Sequence, residues 1–163
     1  MKKVLVVMGS DSDLKVMEKC VDRLKSFDIP VEVRICSAHR TPAVAEQLAK
    51  NAAGEGFGVI IAAAGKAAHL GGVLAAYTTL PVIGVPMATS VMGGMDSLLS
   101  IVQMPKGIPV ATVAIDGADN AAILAAQMIA LSDEALAARL AAFKADMAAE
   151  VTAKDEKVRA QFA

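Results

Sequence analysis

The sequence predicts an α/β fold: a three-layer αβα sandwich around a five-stranded parallel sheet, with one extra helix at its C-terminal end. Two observations carry this reading. Short, continuously apolar runs alternate with segments of helical periodicity, as in parallel strands covered on both faces and joined by right-handed crossovers. In addition, three small polar segments each follow an apolar run directly, where open parallel sheets bind their ligands. They are Gly9-Ser10-Asp11-Ser12-Asp13, Ser37-Ala38-His39-Arg40-Thr41-Pro42 and Ala64-Gly65-Lys66-Ala67-Ala68-His69.

Taken in order, Val4–Met8 reads as a buried strand and Ser12–Phe27 as an amphipathic helix with Leu14, Met17, Val21 and Leu24 on one face. Val31–Cys36 is the second strand, and Pro42 suits the first turn of the next helix. Val59–Ala64 is the third strand, with its helix over Ala67–Tyr77. Val82–Val85 is the fourth, closed by Pro86, with a helix near Asp96–Val102. Val110–Ala114 is the fifth, followed by a helix over Asn120–Leu131. For five strands the flavodoxin-like order 2-1-3-4-5 is the commonest choice, and it brings the loops after strands 1, 2 and 3 together at the switch point.

Residues 1–163 read as a single α/β domain, a size that buries a sizeable core. From Ser132, which resembles an N-cap, to about Arg159 the chain is rich in Ala, Leu, Lys and Glu. Leu136, Leu140, Phe143 and Met147 recur at helical spacing. A sixth helix has no strand to cover, so 132–163 is expected to pack on a neighbouring subunit.

A 55% hydrophobic composition and a mean hydropathy of +0.52 are high for a small soluble protein. Gly, Pro, Lys or Asp interrupts every apolar run before the ~18–20 residues a membrane span needs. Burial between subunits is the better explanation, so a homo-oligomer is expected. The net charge of -1 and a 3% aromatic content with no Trp argue against nucleic-acid or membrane partners. Met1-Lys2-Lys3 leads straight into a strand without the apolar stretch of a signal peptide. Cys20 and Cys36 lack metal-type or disulfide spacing, and together these features point to the cytoplasm. The nine Met residues read mostly as core filler.

The polar segments carry the candidate chemistry. At Gly9–Asp13, glycine permits a tight turn, Ser10 and Ser12 donate to phosphate oxygens, and the next helix offers free N–H groups. Asp13 is acceptor-only when ionised, which suits sugar hydroxyls. The bland alternative is a serine N-cap with an acid in the first turn. Ser37-Ala38-His39-Arg40 is more specific. Arginine is a bidentate fork for phosphate, and histidine, with an ordinary pKa of about 6.5, moves protons near neutrality. Ala64–Ala68 is nearly all Ala and Gly, so Gly65 and Ala67 bring backbone amides close to a small carboxylate or CO2. Tight helix–strand packing would use the same residues. His69 is a second polar group or a structural histidine, Leu70 begins the apolar helix, and Lys66 pairs with an anion or extends to solvent. A metal site from His39, His69 and Asp13 has no short-range ligand pair behind it.

At these residues the chain resembles the bacterial class I N5-carboxyaminoimidazole ribonucleotide mutase family of purine biosynthesis. The marks are Met8–Asp13, Ser37–Pro42, Ala64–Leu70 and Asp96-Ser97-Leu98-Leu99-Ser100-Ile101-Val102-Gln103-Met104-Pro105. Lys66 stands where that family usually has Gly, and Gly71 where Pro is common. The resemblance implies a cofactor-free isomerisation that moves a carboxylate from the exocyclic nitrogen of a phosphoribosyl aminoimidazole to ring C4. His39 would be the general acid–base, with Ser10, Ser12, Asp13 and Arg40 binding substrate. Ser37, Ala38, Gly65, Lys66, Ala67, His69 and Leu70 would line the pocket. It also implies a homo-octamer and a possible transient contact with the upstream synthetase.

Two rivals stand beside it. A class II-type carboxylase would use aminoimidazole ribonucleotide and free CO2 directly. A flavodoxin-like binding or signalling module would need an Asp at the end of strand 3, where this chain has Ala64-Gly65, or aromatics to sandwich a flavin.

Overall fold

The computed structural model describes residues 1–163. Its five strands are β1 (Lys3–Met8), β2 (Val31–Ile35), β3 (Phe57–Ala64), β4 (Val82–Pro86) and β5 (Ala111–Thr112). They form one sheet in the order β2-β1-β3-β4-β5, and every neighbouring pair is parallel. The helices are α1 (Leu14–Ser26), α2 (Pro42–Ala52), α3 (Leu70–Tyr77), α4 (Met95–Val102), α5 (Ala118–Ala130) and α6 (Glu134–Gln161).

Alternation along the strands divides the core in two. Val4, Val6 and Met8 of β1, Val59, Ile61 and Ala63 of β3 and Ile83 and Val85 of β4 pack toward α1 and α5. Leu5, Val7, Phe57, Ile60, Ala62, Ala64 and Val82 face α2 and α3, with Ile101 of α4. Nearly every central-strand residue is buried, as expected for strands with helices on both faces. Gly84 of β4 brings α4 close to the sheet: a Cβ there would lie 2.3 Å from Cγ2 of Ile101.

Several local expectations change. β2 takes the edge position of the expected order but is half-exposed rather than covered on both faces, with Ile35 57% exposed and Glu32 and Arg34 paired at 3.3 Å. α1 starts at Leu14 after a short 3-10 turn over Asp11–Asp13. Leu14 is exposed, and Met17, Cys20 and Leu24 make the buried stripe. β5 is shorter than the expected Val110–Ala114, although the Val113 N–H still donates to the Gly84 carbonyl at 3.1 Å just past its end. Only Met8, Met17 and Met87 among the methionines are buried, while Met92 and Met95 are exposed.

α6 is capped by Asp133 rather than Ser132; the Asp133 carboxylate accepts from the Leu136 N–H at 3.0 Å. Its first turns lie on this chain's own α1 and α5 layer. Leu136 is fully buried, Phe143 meets Phe27 edge-on at 5.4 Å, and Arg23 stacks 4.6 Å over the Phe143 ring. From Lys144 onward the helix is exposed on every side.

Candidate active site

The three polar segments meet at the carboxyl edge of the sheet because lateral hydrogen bonds continue past the strands. The Cys36 N–H donates to the Met8 carbonyl at 2.8 Å, the Gly9 N–H to Ala63 at 3.0 Å and the Met87 N–H to Ala64 at 3.0 Å. The resulting cleft has a volume of about 710 Å³, a size that holds a nucleotide-like ligand. All twelve expected site residues line it: Ser10, Ser12, Asp13, Ser37, Ala38, His39, Arg40, Gly65, Lys66, Ala67, His69 and Leu70.

Each loop is held from within. The Ser10 hydroxyl accepts from the Ser12 N–H at 3.3 Å and donates to Asp11 at 3.1 Å, so the N-cap role is real but lies inside the cleft wall. Asp13 is 9% exposed and accepts from the Ser12 hydroxyl at 3.3 Å. Burial pushes its carboxyl above the usual value of 3.8, against the lowering effect of the Ser12 and Ser10 hydrogen bonds. In the second loop, Thr41 ties back to Ser37: its hydroxyl donates to the Ser37 carbonyl and accepts from the Ser37 N–H, each at 3.0 Å. Ser37 in turn accepts from the Arg40 N–H at 3.1 Å. This closed turn directs His39 and Arg40 outward, ahead of Pro42 at the start of α2.

The second and third loops are joined by their histidines. Nε2 of His39 lies 2.8 Å from Nδ1 of His69, with the rings 81° apart. His69 sits at the N-cap of α3 rather than a turn inside it, because Lys66–Ala68 forms a bend. The cause is Lys66, whose φ of 57° is left-handed, a conformation that glycine adopts without strain. The Lys66 N–H donates to Ser97 at 3.1 Å. At Gly71 an added Cβ would meet Val110 and Ala62 at 3.6 and 3.7 Å, ordinary contact distances, so the position has room for a larger residue.

Neither Arg40 nor Lys66 forms an ion pair, which leaves two cations in the cleft for an anionic ligand. His39 and His69 pair with each other, and no three His, Cys, Asp or Glu side chains group closely enough to hold a metal ion. Cys36 is buried 3.6 Å from the Thr41 hydroxyl, facing the core rather than the cleft. Met87, Ala88, Thr89 and Ser90 line the cleft as well and were missed from sequence. They follow β4 just as the other three segments follow their strands, and that placement was the available signal. Ala88 is held by its N–H donating to Asp116 at 2.9 Å.

The fold and cleft define an α/β protein with a switch-point site whose histidine pair and two unpaired cations suit a small anionic ligand. The comparisons refine this. The AIR carboxylase family profile matches residues 3–150, and the chain belongs to that family. The N5-carboxyaminoimidazole ribonucleotide mutase of Mycobacterium leprae is 55% identical over 94% of this chain and 90% of its own length. The mutase of Methanocaldococcus jannaschii is 52% identical over 98% of this chain and 99% of its own. Among solved structures, Treponema denticola PurE superimposes with a TM-score of 0.84 at 30% identity, covering 94% of this chain and 96% of that one.

Proposed function

We propose that the chain is an N5-carboxyaminoimidazole ribonucleotide mutase, an isomerase of purine biosynthesis that moves the carboxylate from the exocyclic nitrogen to ring C4. The observation that carries this is the convergence of His39, Arg40, the Ser10–Asp13 turn and the small-residue loop on one cleft, in a chain 55% identical to a mutase.

In this reading Arg40, Ser10 and Ser12 hold the phosphate, and Asp13 accepts from the ribose hydroxyls. Gly65, Lys66, Ala67 and Leu70, with Ser37 and Ala38, enclose the migrating group. The carbamate C–N bond breaks to give CO2 and the amine, and C4 then attacks the trapped CO2 to form the new C–C bond. The amine gains one proton and C4 loses one, so the reaction balances without any other reactant. His39 carries that proton as general acid–base, and His69 fixes its ring and tautomer. Holding CO2 against an electron-rich carbon uses proximity, and a closed cavity limits its escape to water.

The exposed apolar side chains Val91, Met92, Met95, Leu99 and Val102 around α4 and the free half of α6 support burial against other copies of the chain, in a homo-octamer as the family resemblance implies. A single domain with 132–163 reaching a neighbouring copy fits the same exposure. No helix is long and apolar enough to cross a membrane. We place the enzyme in the cytoplasm, with passing contact to the synthetase that makes the carbamate.

The test is to supply the purified protein with the freshly made carbamate and, separately, with aminoimidazole ribonucleotide and bicarbonate. Rapid formation of the C4-carboxylated product from the carbamate is expected. Equal rates from both would establish the carboxylase instead, and no product from either would remove both readings.

A further inference from the structure

The Asp96–Pro105 segment is a distinctive part of the sequence, yet none of it lines the cleft. Its contacts give it a task. Ser97 of α4 is fully buried. Its hydroxyl donates to the Met87 carbonyl at 2.7 Å and accepts from the Lys66 N–H at 3.1 Å, so one side chain bridges the loops after β3 and β4. One turn on, the Ser100 hydroxyl lies 2.7 Å from the Asp96 carbonyl and 3.3 Å from that of Lys66. Asp96 accepts from the Thr89 hydroxyl at 2.9 Å. The first turns of α4 therefore grip both loops that form this wall of the cleft.

We infer that Ser97 is a positioning residue that holds the Lys66 backbone in its left-handed conformation, and so keeps the Gly65–Ala68 loop closed over the migrating carboxyl group. The need arises in this chain because residue 66 has a side chain. A lysine at φ 57° stays there only when its surroundings hold it. Glycine would rest there unaided. The consequence reaches the chemistry through neighbours: Gly65 and Ala67 present the amides, and His69 must meet His39 at 2.8 Å. A loop released at Lys66 displaces all three and opens an exit for CO2. This inference rests on the mutase reading.

The readout is the partition of the carbamate between C4-carboxylated product and CO2 lost to solvent, taken at equal concentrations of folded protein and after subtracting the carbamate's own decay without enzyme. Ser97→Ala is measured in the native chain and in a Lys66→Gly background. The product-to-loss ratio is expected to fall roughly tenfold or more in the native chain, in line with the cost of a small misplacement. In the Lys66→Gly background, where glycine needs no hold, the fall should be under about threefold. An unchanged ratio, or the same fall in both backgrounds, overturns the inference. Should Ser97→Ala alone fail to fold, its recovery on adding Lys66→Gly supports the link, and no recovery counts against it. If the native chain forms no product, the mutase reading has failed. The link is then read from melting temperatures of the same four proteins: Ser97→Ala must cost fewer degrees in the Lys66→Gly background, and an equal cost overturns it.

Discussion

Nε2 of His39 and Nδ1 of His69 face each other at 2.8 Å, nitrogen to nitrogen. A bond between two imidazoles holds one proton, so one ring donates while the other offers a lone pair. Protonating both would set two N–H groups against each other and open the contact. One donor and one lone pair are what the closed pair holds, which matches the proposed transfer of a single proton between C4 and nitrogen.

In the proposed role of His39 as proton carrier, its replacement by Asn should lower kcat by about 10²–10⁴-fold. Melting temperature and sedimentation should stay near those of the native chain, because His39 is exposed. His69→Asn should lower kcat less and change the shape of the pH–rate profile. A variant of His39 with full turnover would show that the proton travels by another group.

Arg40→Ala should act mainly on binding. Charged hydrogen bonds contribute about 1.5–3 kcal/mol, so KM for the ribonucleotide should rise roughly 10- to 150-fold with a smaller change in kcat. Inorganic phosphate should also compete less well. An unchanged KM would place phosphate capture elsewhere in the cleft.

Asp13 links stability to pH. Its carboxyl is raised above 3.8 by burial, so the fold binds a proton there more tightly than the unfolded chain does. Stability therefore falls as pH rises from the ordinary value through the raised one, and the penalty is complete above it. Asp13→Asn removes it: the variant should melt higher than the native chain at neutral pH and lose that advantage toward about pH 4, while binding substrate less well. A lower melting point at neutral pH would show that the Ser12 hydrogen bond outweighs burial.

Gly84→Ala should cost about 1–3 kcal/mol by overpacking. The new methyl would fall 2.3 Å from Ile101 of α4, a β-branched side chain with little freedom to move. Denaturant unfolding measures the loss, and activity should fall with it because α4 carries Ser97. Wild-type stability would mean that α4 shifts freely.

Much of the site was legible because its residues are chemically unusual for their places. His39-Arg40 after an apolar run, and a loop of Ala and Gly after another, stand out without any coordinates. The alternation predicts five parallel strands, and the sheet adopts the order that is commonest for that number. What stayed hidden depends on distant pairings. Nothing local marks Ser97 as the partner of Lys66, 31 positions away. The left-handed turn that moves His69 to the start of α3 is unexpected for a lysine. Val31–Cys36 is grouped with the continuously apolar strands, although Glu32 and Arg34 alternate with its apolar residues, which is the pattern of the edge position it holds in the expected order. The first turns of α6 found their cover in α1 and α5, helices the sequence had assigned to the sheet alone.

Both sulfhydryls lie beneath the surface, and burial raises that of Cys20 to about 12. Maleimides and other alkylating dyes therefore find no ready target on the native chain. A cysteine placed at Ser90, an exposed position on the cleft rim, would take a fluorophore on its own. In a chain without tryptophan, that label would report ligand arrival against a dark background.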